Sequence, residues 1–377
     1  MSFAAFEAIK NATDRNVLNM QEAKEAGKRV VGEYCIYSPM ELAIAAGAMP
    51  VSLCGTKNDS IPAAEEVLPR TLCPLIKSSF GFALQDSCPY LSAADVIVAD
   101  TTCDGKKKMF ELLAQKKPLF LLQLPQIQDH DATLYWRAQY VKLITFYEEQ
   151  FGVTIHEDDI RAAISLMNRQ RKALKDVFDC TQRKVPPLNG VQLLEFCFRL
   201  SFMVDKEKSI VLLEDLAREI MASPEPSTPS TAPRILLTGV PTGLGCEKVI
   251  RLLEQCGAHV VVIDNCSSYK KTTLIIDETK DPITALAERY LSTPCSVMSP
   301  NPYRYTRLRT MADDFHVDGV VDLTWQGCQT FEIESYTVKQ FVRNELKLPF
   351  LHIVTDYSEA DTEQLKVRIE AFLEMIG

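Results

Sequence analysis

The sequence predicts an α/β protein with two doubly wound, parallel-sheet domains and an added helical region. Short β-branched runs alternate with amphipathic stretches in both halves, which is typical of strand–helix units around a parallel sheet. From about Asp131 to Ile220 the pattern is helical, with little strand signal. Met221–Pro233 is rich in Pro, Ser and Thr, cannot continue a helix, and is typical of a linker.

These features divide the chain into four predicted parts. They are an N-terminal α/β domain at 1–130, a helical region at 131–220, a linker at 221–233 and a C-terminal α/β domain at 234–377. A chain of 377 residues is long enough for two domains that each have a core. With 41 basic and 50 acidic residues the net charge is −9, which argues against a dedicated nucleic-acid binder.

In the first half, four short apolar runs predict strands. The strands are Arg29–Tyr34, Met49–Leu53, Asp95–Ala99 and Pro118–Gln123. The helices predicted among them are Pro39–Gly47, Pro74–Leu84 and Lys106–Gln115. The helical region that follows is interrupted at Val185–Gly190. Two placements are open for it: a layer on the first domain, or a bridge between the domains.

The second half restarts the same alternation after the linker. Its predicted strands are Arg234–Thr238, His259–Ile263, Gly319–Leu323 and Phe350–Val354. Its predicted helices are Glu247–Cys256, Pro282–Leu291, Tyr303–Phe315, Glu334–Leu346 and Asp361–Ile376. We therefore expect a second doubly wound domain, with a cleft between it and the first.

No segment of the sequence predicts a membrane or secretory location. No apolar run reaches the roughly 18–20 residues that a spanning helix needs. The N-terminus is mixed and charged, without the apolar core and cleavage site of a signal peptide. We expect a cytoplasmic protein that does not bind membranes.

The chain has twelve cysteines, which the cytoplasm would keep reduced. Free cysteine is often only a small buried hydrophobe. Seven, however, fall on the edge where strands end and where ligands bind in parallel α/β sheets. These seven are Cys35, Cys54, Cys73, Cys103, Cys266, Cys295 and Cys328. Cys88 is predicted at the opposite edge; Cys180, Cys197 and Cys256 are explained by packing within helices; and Cys246 stays ambiguous.

This distribution predicts a metal site in the cleft. Thiolates are soft ligands that suit iron–sulfur clusters or zinc. A structural zinc site usually shows paired Cys-x₂₋₄-Cys spacing, whereas the seven thiols come singly from separate strand ends. An iron–sulfur cluster held across two domains fits better than zinc.

Several of the same residues lie in motifs that resemble a known family. The segments of the first half are Tyr34–Leu42, Leu72–Ser79 and Thr101–Met109. Those of the second half are Asp264–Cys266, Pro294–Cys295 and Asp318–Val321, the last leading to Cys328. Together they resemble the 2-hydroxyacyl-CoA dehydratase and benzoyl-CoA reductase superfamily over nearly the whole chain. Within it, the double-cubane cluster proteins are most similar.

The resemblance implies a homodimer whose chains each hold two 4Fe-4S cubanes joined by a bridging sulfide. It also implies six thiolate ligands. Combining motifs with strand ends, we expect these to be Cys35, Cys73, Cys103, Cys266, Cys295 and Cys328. Cys54 and Cys88 are held in reserve. The alternative is a single 4Fe-4S cluster.

The resemblance further implies a separate homodimeric, ATP-dependent iron–sulfur reductase that supplies low-potential electrons. This chain shows no G-x-x-x-x-G-K-[ST] loop, so we expect ATP to bind to that partner. The expected function is a reductase component that passes electrons to a small-molecule substrate. The alternatives are a 2-hydroxyacyl-CoA dehydratase, which is a lyase, and a non-enzymatic cluster carrier.

Two further features are candidates for function. Glu41 lies one turn into the helix behind Cys35 and is a candidate proton donor or partner of a ligand. A first-turn carboxylate that is stabilised by the helix dipole explains it equally well. Lys106–Lys108 is a candidate docking site for the reductase or for an anionic substrate; the competing explanation is a solvated helix face.

Overall fold

A computed structural model describes residues 3–225, 230–272 and 275–376 of the chain. It contains two four-stranded sheets in which every strand pairing is parallel. The predicted fold of two doubly wound α/β domains is therefore confirmed. Residues 226–229 of the predicted linker lie outside the described residues.

The first sheet has the strand order β2-β1-β3-β4. Its strands are β1 (Val30–Glu33), β2 (Met49–Ser52), β3 (Val96–Asp100) and β4 (Leu119–Leu122). The helices of this domain are α1 (Ala4–Asp14), α2 (Asn16–Glu25), α3 (Met40–Ala45), α4 (Ile61–Ala64), α5 (Pro74–Gln85), α6 (Pro89–Ala93) and α7 (Asp104–Leu113). Every residue of the central strands β1 and β3 is buried, as expected for parallel strands covered on both faces.

Four helices follow the first sheet. They are α8 (His130–Phe151), α9 (Glu157–Asp179), α10 (Gly190–Ser201) and α11 (Lys206–Ala222). Three of them begin at side-chain caps, since Asp129, Asn189 and Asp205 each accept a hydrogen bond from a first-turn backbone N–H.

The second sheet repeats the order of the first, as β6-β5-β7-β8. Its strands are β5 (Arg234–Gly239), β6 (His259–Asp264), β7 (Gly319–Trp325) and β8 (Phe350–Thr355). Its helices are α12 (Lys248–Gln255), α13 (Pro282–Leu291), α14 (Pro302–Asp314), α15 (Gln329–Phe341) and α16 (Thr362–Glu374). A single π-helical turn, Val342–Leu346, extends α15.

The helical region contacts both domains. Helix α9 packs on α3 of the first domain, and α8 packs on α13 of the second. Helix α10 packs on β6, and α11 packs on α1. Of the two placements left open by the sequence, the structure therefore shows the bridge.

Some element predictions were wrong. Helix α15 begins at Gln329, five residues before the predicted Glu334, directly after the strand-end residue Cys328. The N-terminal helices α1 and α2 and the short helices α4 and α6 were not predicted. Helix α1 is stabilised by burying Phe6 and Ile9 against α10 and α11, which the local sequence does not reveal.

The carboxyl edges of the two sheets face each other across the cleft. Loops that follow the strands touch there: the Thr56 hydroxyl donates to the Leu244 carbonyl at 2.8 Å. The Tyr357 hydroxyl donates to the Gly55 carbonyl at 2.9 Å. Both contacts join the loop after β2 to loops of the second domain. Within the described ranges, no helix is long and apolar enough to cross a membrane.

Candidate metal centre

The seven strand-end cysteines lie around the cleft. Cys35 follows β1 in a left-handed backbone conformation with φ of 86°, and Cys54 follows β2. Three others occupy the position just before a helix: Cys73 before α5, Cys103 before α7 and Cys328 before α15. Backbone N–H groups at a helix N-terminus act to lower the pKa of a thiol there, but at Cys103 burial outweighs them and raises the pKa.

Three of the thiols form a first trio, made of Cys73, Cys103 and Cys328. The Cys73 and Cys328 thiols influence each other across the cleft: Cys328 lowers the pKa of Cys73, and Cys73 raises that of Cys328. Cys103 interacts electrostatically with both. The trio thus joins two thiols of the first domain to one of the second.

A close backbone approach holds the first trio together. Gly327, with φ of 80°, precedes Cys328, and a Cβ placed on it would lie 2.4 Å from the Thr71 carbonyl oxygen. Only glycine fits there, because the left-handed backbone and the neighbouring carbonyl both exclude a side chain.

Three other thiols form a second trio, made of Cys35, Cys266 and Cys295. Cys35 interacts electrostatically with both Cys266 and Cys295, and those two interact with each other. The reserve ligand Cys54 also interacts with Cys266. Burial raises the pKa of all three, for Cys266 to about 11. This trio joins one thiol of the first domain to two of the second.

Two lysines supply positive charge among the thiols. Lys106, in the first turn of α7, interacts with Cys35, Cys54 and Cys103. Burial acts to lower its pKa, but these thiols and Asp100 outweigh burial, so its pKa is raised and it stays charged. Lys270 donates to the Pro294 carbonyl at 2.8 Å and interacts with Cys266 and Cys295.

The three consecutive lysines at 106–108 have different surroundings. Lys107 and Lys108 form the surface ion pairs expected of a solvated helix face, with Asp104 and Glu111 respectively. Lys106 alone turns toward the thiols.

The donor set fits a polynuclear cluster. Within the described ranges, no three His, Cys, Asp or Glu side chains converge on a point where one metal ion could be held. The six predicted ligands instead interact electrostatically in two groups of three, with Lys106 and Lys270 to offset thiolate charge. Soft thiol donors that come from separate segments suit an iron–sulfur cluster, in which each thiolate binds a different iron atom.

A cavity of about 150 Å³ lies beside the second trio. Cys35, Cys54, Cys266 and Lys106 line it, and Arg171 and Tyr290 from the helical region and the second domain also contribute. Another part of its wall carries Glu33, Lys206 and Lys271. Burial, with Glu41 nearby, raises the pKa of Glu33 to about 8; burial lowers that of Lys206 to about 8.

The predicted catalytic residue Glu41 is completely buried behind this cavity. It forms an ion pair with Arg171, and the Tyr290 hydroxyl donates to its other oxygen at 2.7 Å. Arg171 and Tyr290 line the cavity, whereas Glu41 does not. The arrangement suits a residue that orients its neighbours.

The remaining cysteines have local partners or separate positions. The Cys88 sulfur accepts from the Leu91 N–H at 3.5 Å at the start of α6. Cys180 donates to the Asp176 carbonyl at 3.2 Å. Cys246 closes a loop by bonding to Gly243. Cys256 ends α12. Cys197, explained from the sequence by packing, is buried in α10 and also lines the cavity.

Sequence reasoning missed the charged wall of the cavity. Glu33 could have been identified from the sequence as a residue near the cleft, because it ends β1 two residues before Cys35. The sequence did not indicate the other three charged residues, which are Arg171, Lys206 and Lys271. They belong to segments whose position against the sheets depends on tertiary packing.

Comparison with known proteins places the chain in a family. A family model described as 2-hydroxyglutaryl-CoA dehydratase, D-component, matches residues 35–376. The chain is 42% identical to the putative dehydratase subunit YjiM of Escherichia coli (strain K12), covering 99% of this chain and 98% of that protein.

More distant relatives include both a dehydratase and a reductase. The (R)-phenyllactyl-CoA dehydratase beta subunit of Clostridium sporogenes is 24% identical, covering 95% of this chain and 94% of that protein. A benzoyl-CoA reductase polypeptide of Thauera aromatica is 21% identical, covering 76% of this chain and 74% of that protein. These matches confirm the superfamily that the motifs indicated. The chain belongs to the 2-hydroxyglutaryl-CoA dehydratase D-component family.

Proposed function

We propose that this protein is an oxidoreductase: an iron–sulfur reductase component that accepts low-potential electrons from a separate ATP-dependent reductase. It passes them from a double-cubane cluster to a small-molecule substrate. Its relatives include dehydratases and a reductase, so the protein is an enzyme of this family.

The observation that carries the proposal is the division of six thiols into two trios. Three thiolates and one bridging sulfide complete the ligands of one cubane, so two cubanes need two such groups. Cys73, Cys103 and Cys328 would hold one, and Cys35, Cys266 and Cys295 the other. Each trio takes thiols from both domains, which supports a cluster shared across the cleft.

When bound, such a cluster supplies one-electron transfer at low potential. The chain's own residues set its surroundings. Lys106 and Lys270 offset the negative charge of the thiolates. Trp325, the buried last residue of β7, donates from its indole to the Pro241 carbonyl at 3.0 Å and would help exclude water near Cys328.

A 2-hydroxyacyl-CoA dehydratase is the second candidate. The family description and the name of the Clostridium sporogenes relative favour it. A single 4Fe-4S cluster on one trio would then serve a lyase reaction.

The proposal also includes two protein partners, a second copy of this chain and a separate reductase. We propose a homodimer in the cytoplasm, where thiols stay reduced. The separate ATP-dependent iron–sulfur reductase would dock on it and deliver electrons.

Iron and sulfide analysis of protein prepared without oxygen tests the proposal. A double cubane predicts about eight irons per chain, and a single cubane predicts about four. Near-zero iron with stoichiometric zinc would contradict both. A cluster carrier without enzyme activity predicts no ATP-dependent turnover when the partner ATPase is supplied, whereas a reductase component predicts turnover.

A further inference from the structure

We propose that Asn301 and Thr330 are positioning residues that hold the backbone around Cys295 against the helix that begins after Cys328. Through them a thiol of the second trio keeps a fixed position relative to a thiol of the first. The inference rests on the proposed function for the role of both cysteines as cluster ligands, whereas the contacts that carry it are made by the protein alone.

Cys295 differs from the other five predicted ligands in its local structure. Each of the others closely follows a strand or directly precedes a helix. Cys295 instead lies within residues 292–301, an irregular segment between α13 and α14. Because such a segment lacks the hydrogen-bond ladder of a helix or strand, side-chain contacts must hold its backbone in one conformation.

The Asn301 side chain supplies the first of these contacts. Asn301 is 6% exposed and directly precedes α14. Its amide nitrogen donates to the Cys295 carbonyl at 3.0 Å and to a Glu334 carboxylate oxygen at 2.7 Å. Both partners are acceptors, so the amide NH₂ group, and not the amide oxygen, must face them. The side chain therefore connects the backbone of Cys295 to α15, which carries Glu334.

Glu334 is in turn held by a buried arginine. Its second carboxylate oxygen lies 3.2 Å from a guanidinium nitrogen of Arg304. Arg304 is 1% exposed and also forms an ion pair with Asp322 of β7 at 3.4 Å. Breaking a buried ion pair leaves a charge without a partner, which is costly, so Glu334 is restrained in the position from which it accepts the Asn301 hydrogen bond.

A second contact joins the same segment to the start of α15. The Ser296 hydroxyl donates to the Thr330 hydroxyl at 3.1 Å. Ser296 directly follows Cys295, and Thr330 lies two residues after Cys328. Thr330 and Glu334 are four residues apart, so they lie on the same face of α15. We call the two contacts, Ser296 with Thr330 and Asn301 with Glu334, the Cys295 clamp.

The Cys295 clamp matters for the cluster because it joins the two trios. Cys295 belongs to the second trio, and Cys328, which directly precedes α15, belongs to the first. Two cubanes that share a bridging sulfide require their two sets of thiolates to keep one relative position. Groups that hold a ligand in place from behind are what keeps such a site in its productive geometry.

Hydrogen–deuterium exchange of the iron-free protein, read by mass spectrometry, tests the clamp without a cluster. We expect residues 292–301 of the wild type to be protected, although the segment is irregular. The Met298 N–H is a useful reporter, since it donates to the Cys295 carbonyl at 3.0 Å. Rapid exchange throughout the wild-type segment would overturn the proposal.

Asn301→Asp keeps the shape of the side chain but places an acceptor against two acceptors. It should speed exchange of residues 292–301 by about tenfold. An aspartate before a helix is itself favourable, so a weakened α14 would not explain the effect. Asn344→Asp is the matched control, because Asn344 is exposed and donates to Gln340 at 3.0 Å; it should leave the segment as in the wild type.

Thr330→Val removes the other contact with little change of shape. It should speed exchange of the same segment by about threefold, and it tests the clamp even if Asn301→Asp does not fold. Increases confined to residues 292–301 support the clamp. Unchanged exchange in both variants would overturn it. So would an equal increase across α13 and α14, because that result indicates general destabilisation.

Electron paramagnetic resonance of the reduced, anaerobically prepared protein tests the consequence for the cluster. We expect the spectrum of Asn301→Asp to differ from the wild type and that of Asn344→Asp to match it. Identical spectra in all three would overturn the positioning role. Near-zero iron in the wild type would instead reject the proposed function, and with it any role of the clamp toward a cluster, while local exchange effects in the iron-free protein would still establish the contacts.

Discussion

The thiols of Cys73 and Cys328 shift each other's pKa, although they lie in opposite halves of the chain and belong to different domains. Each stands at the N-terminal end of a helix, α5 and α15 respectively. Beside them the backbone of Gly327 approaches the Thr71 carbonyl, so the two domains meet at this point of the cleft. Because both are predicted cluster ligands, the geometry of the domain interface and that of the candidate metal centre are coupled.

Removal of one thiol from either trio should lower the cluster content. We expect Cys103→Ala and Cys295→Ala to lose at least about half of the iron, since a cubane that loses one of its protein thiolates is poorly held. Iron and sulfide assays, with electron paramagnetic resonance of the reduced protein, measure the loss. Cys180→Ala is the control, because Cys180 bonds to its own helix. Equal iron in Cys103→Ala and Cys180→Ala would reject the ligand assignment.

Lys106→Met should make the reduction potential of the bound cluster more negative. The Lys106 charge lies among thiols of both trios, and a nearby cation stabilises the reduced, more negative cluster. Spectroelectrochemical titration measures the shift. Lys107→Met is the matched control in the same triplet, since Lys107 pairs with Asp104 at the surface. The same potential in both variants would show that Lys106 does not act on the cluster.

Gly327→Ala should destabilise the protein more than Gly257→Ala. Both glycines have a left-handed backbone, with φ of 80° and 94°, which costs alanine about 1–2 kcal/mol. A Cβ at Gly257 meets nothing within 4 Å, whereas one at Gly327 meets the Thr71 carbonyl oxygen. We therefore expect about 1–3 kcal/mol of additional destabilisation at Gly327. Denaturant unfolding of the two variants measures it; equal values would refute the close approach.

Glu41→Ala should destabilise the protein by about 3–5 kcal/mol, because it leaves Arg171 buried with its charge unpaired. The double variant Glu41→Leu with Arg171→Met removes both charges and should recover part of the loss. Chemical denaturation gives both free energies of unfolding. A double variant no more stable than Glu41→Ala would show that the pair contributes through packing instead.

The positions of the strand-end cysteines could be predicted because they depend on local pattern. An apolar run followed directly by a cysteine, as at β1 and Cys35 or β6 and Cys266, places the thiol at the carboxyl edge without further information. The same reasoning did not reveal that Glu33 lies in a charged cavity wall, although it ends the strand that leads to Cys35. Its neighbours in that wall, Lys206 and Lys271, come from distant segments of the chain, so the local sequence does not place them there.

The sequence by itself determined the two doubly wound domains and the family, because strand–helix alternation and short motifs are written in neighbouring residues. Only the tertiary structure decided which thiols are neighbours. It grouped Cys103 with Cys328 and Cys35 with Cys295, and it brought Lys206 and Lys271 to the wall that holds Glu33. The physical reason is that local pattern encodes which face of an element is buried, whereas contacts across a cleft depend on how whole domains pack.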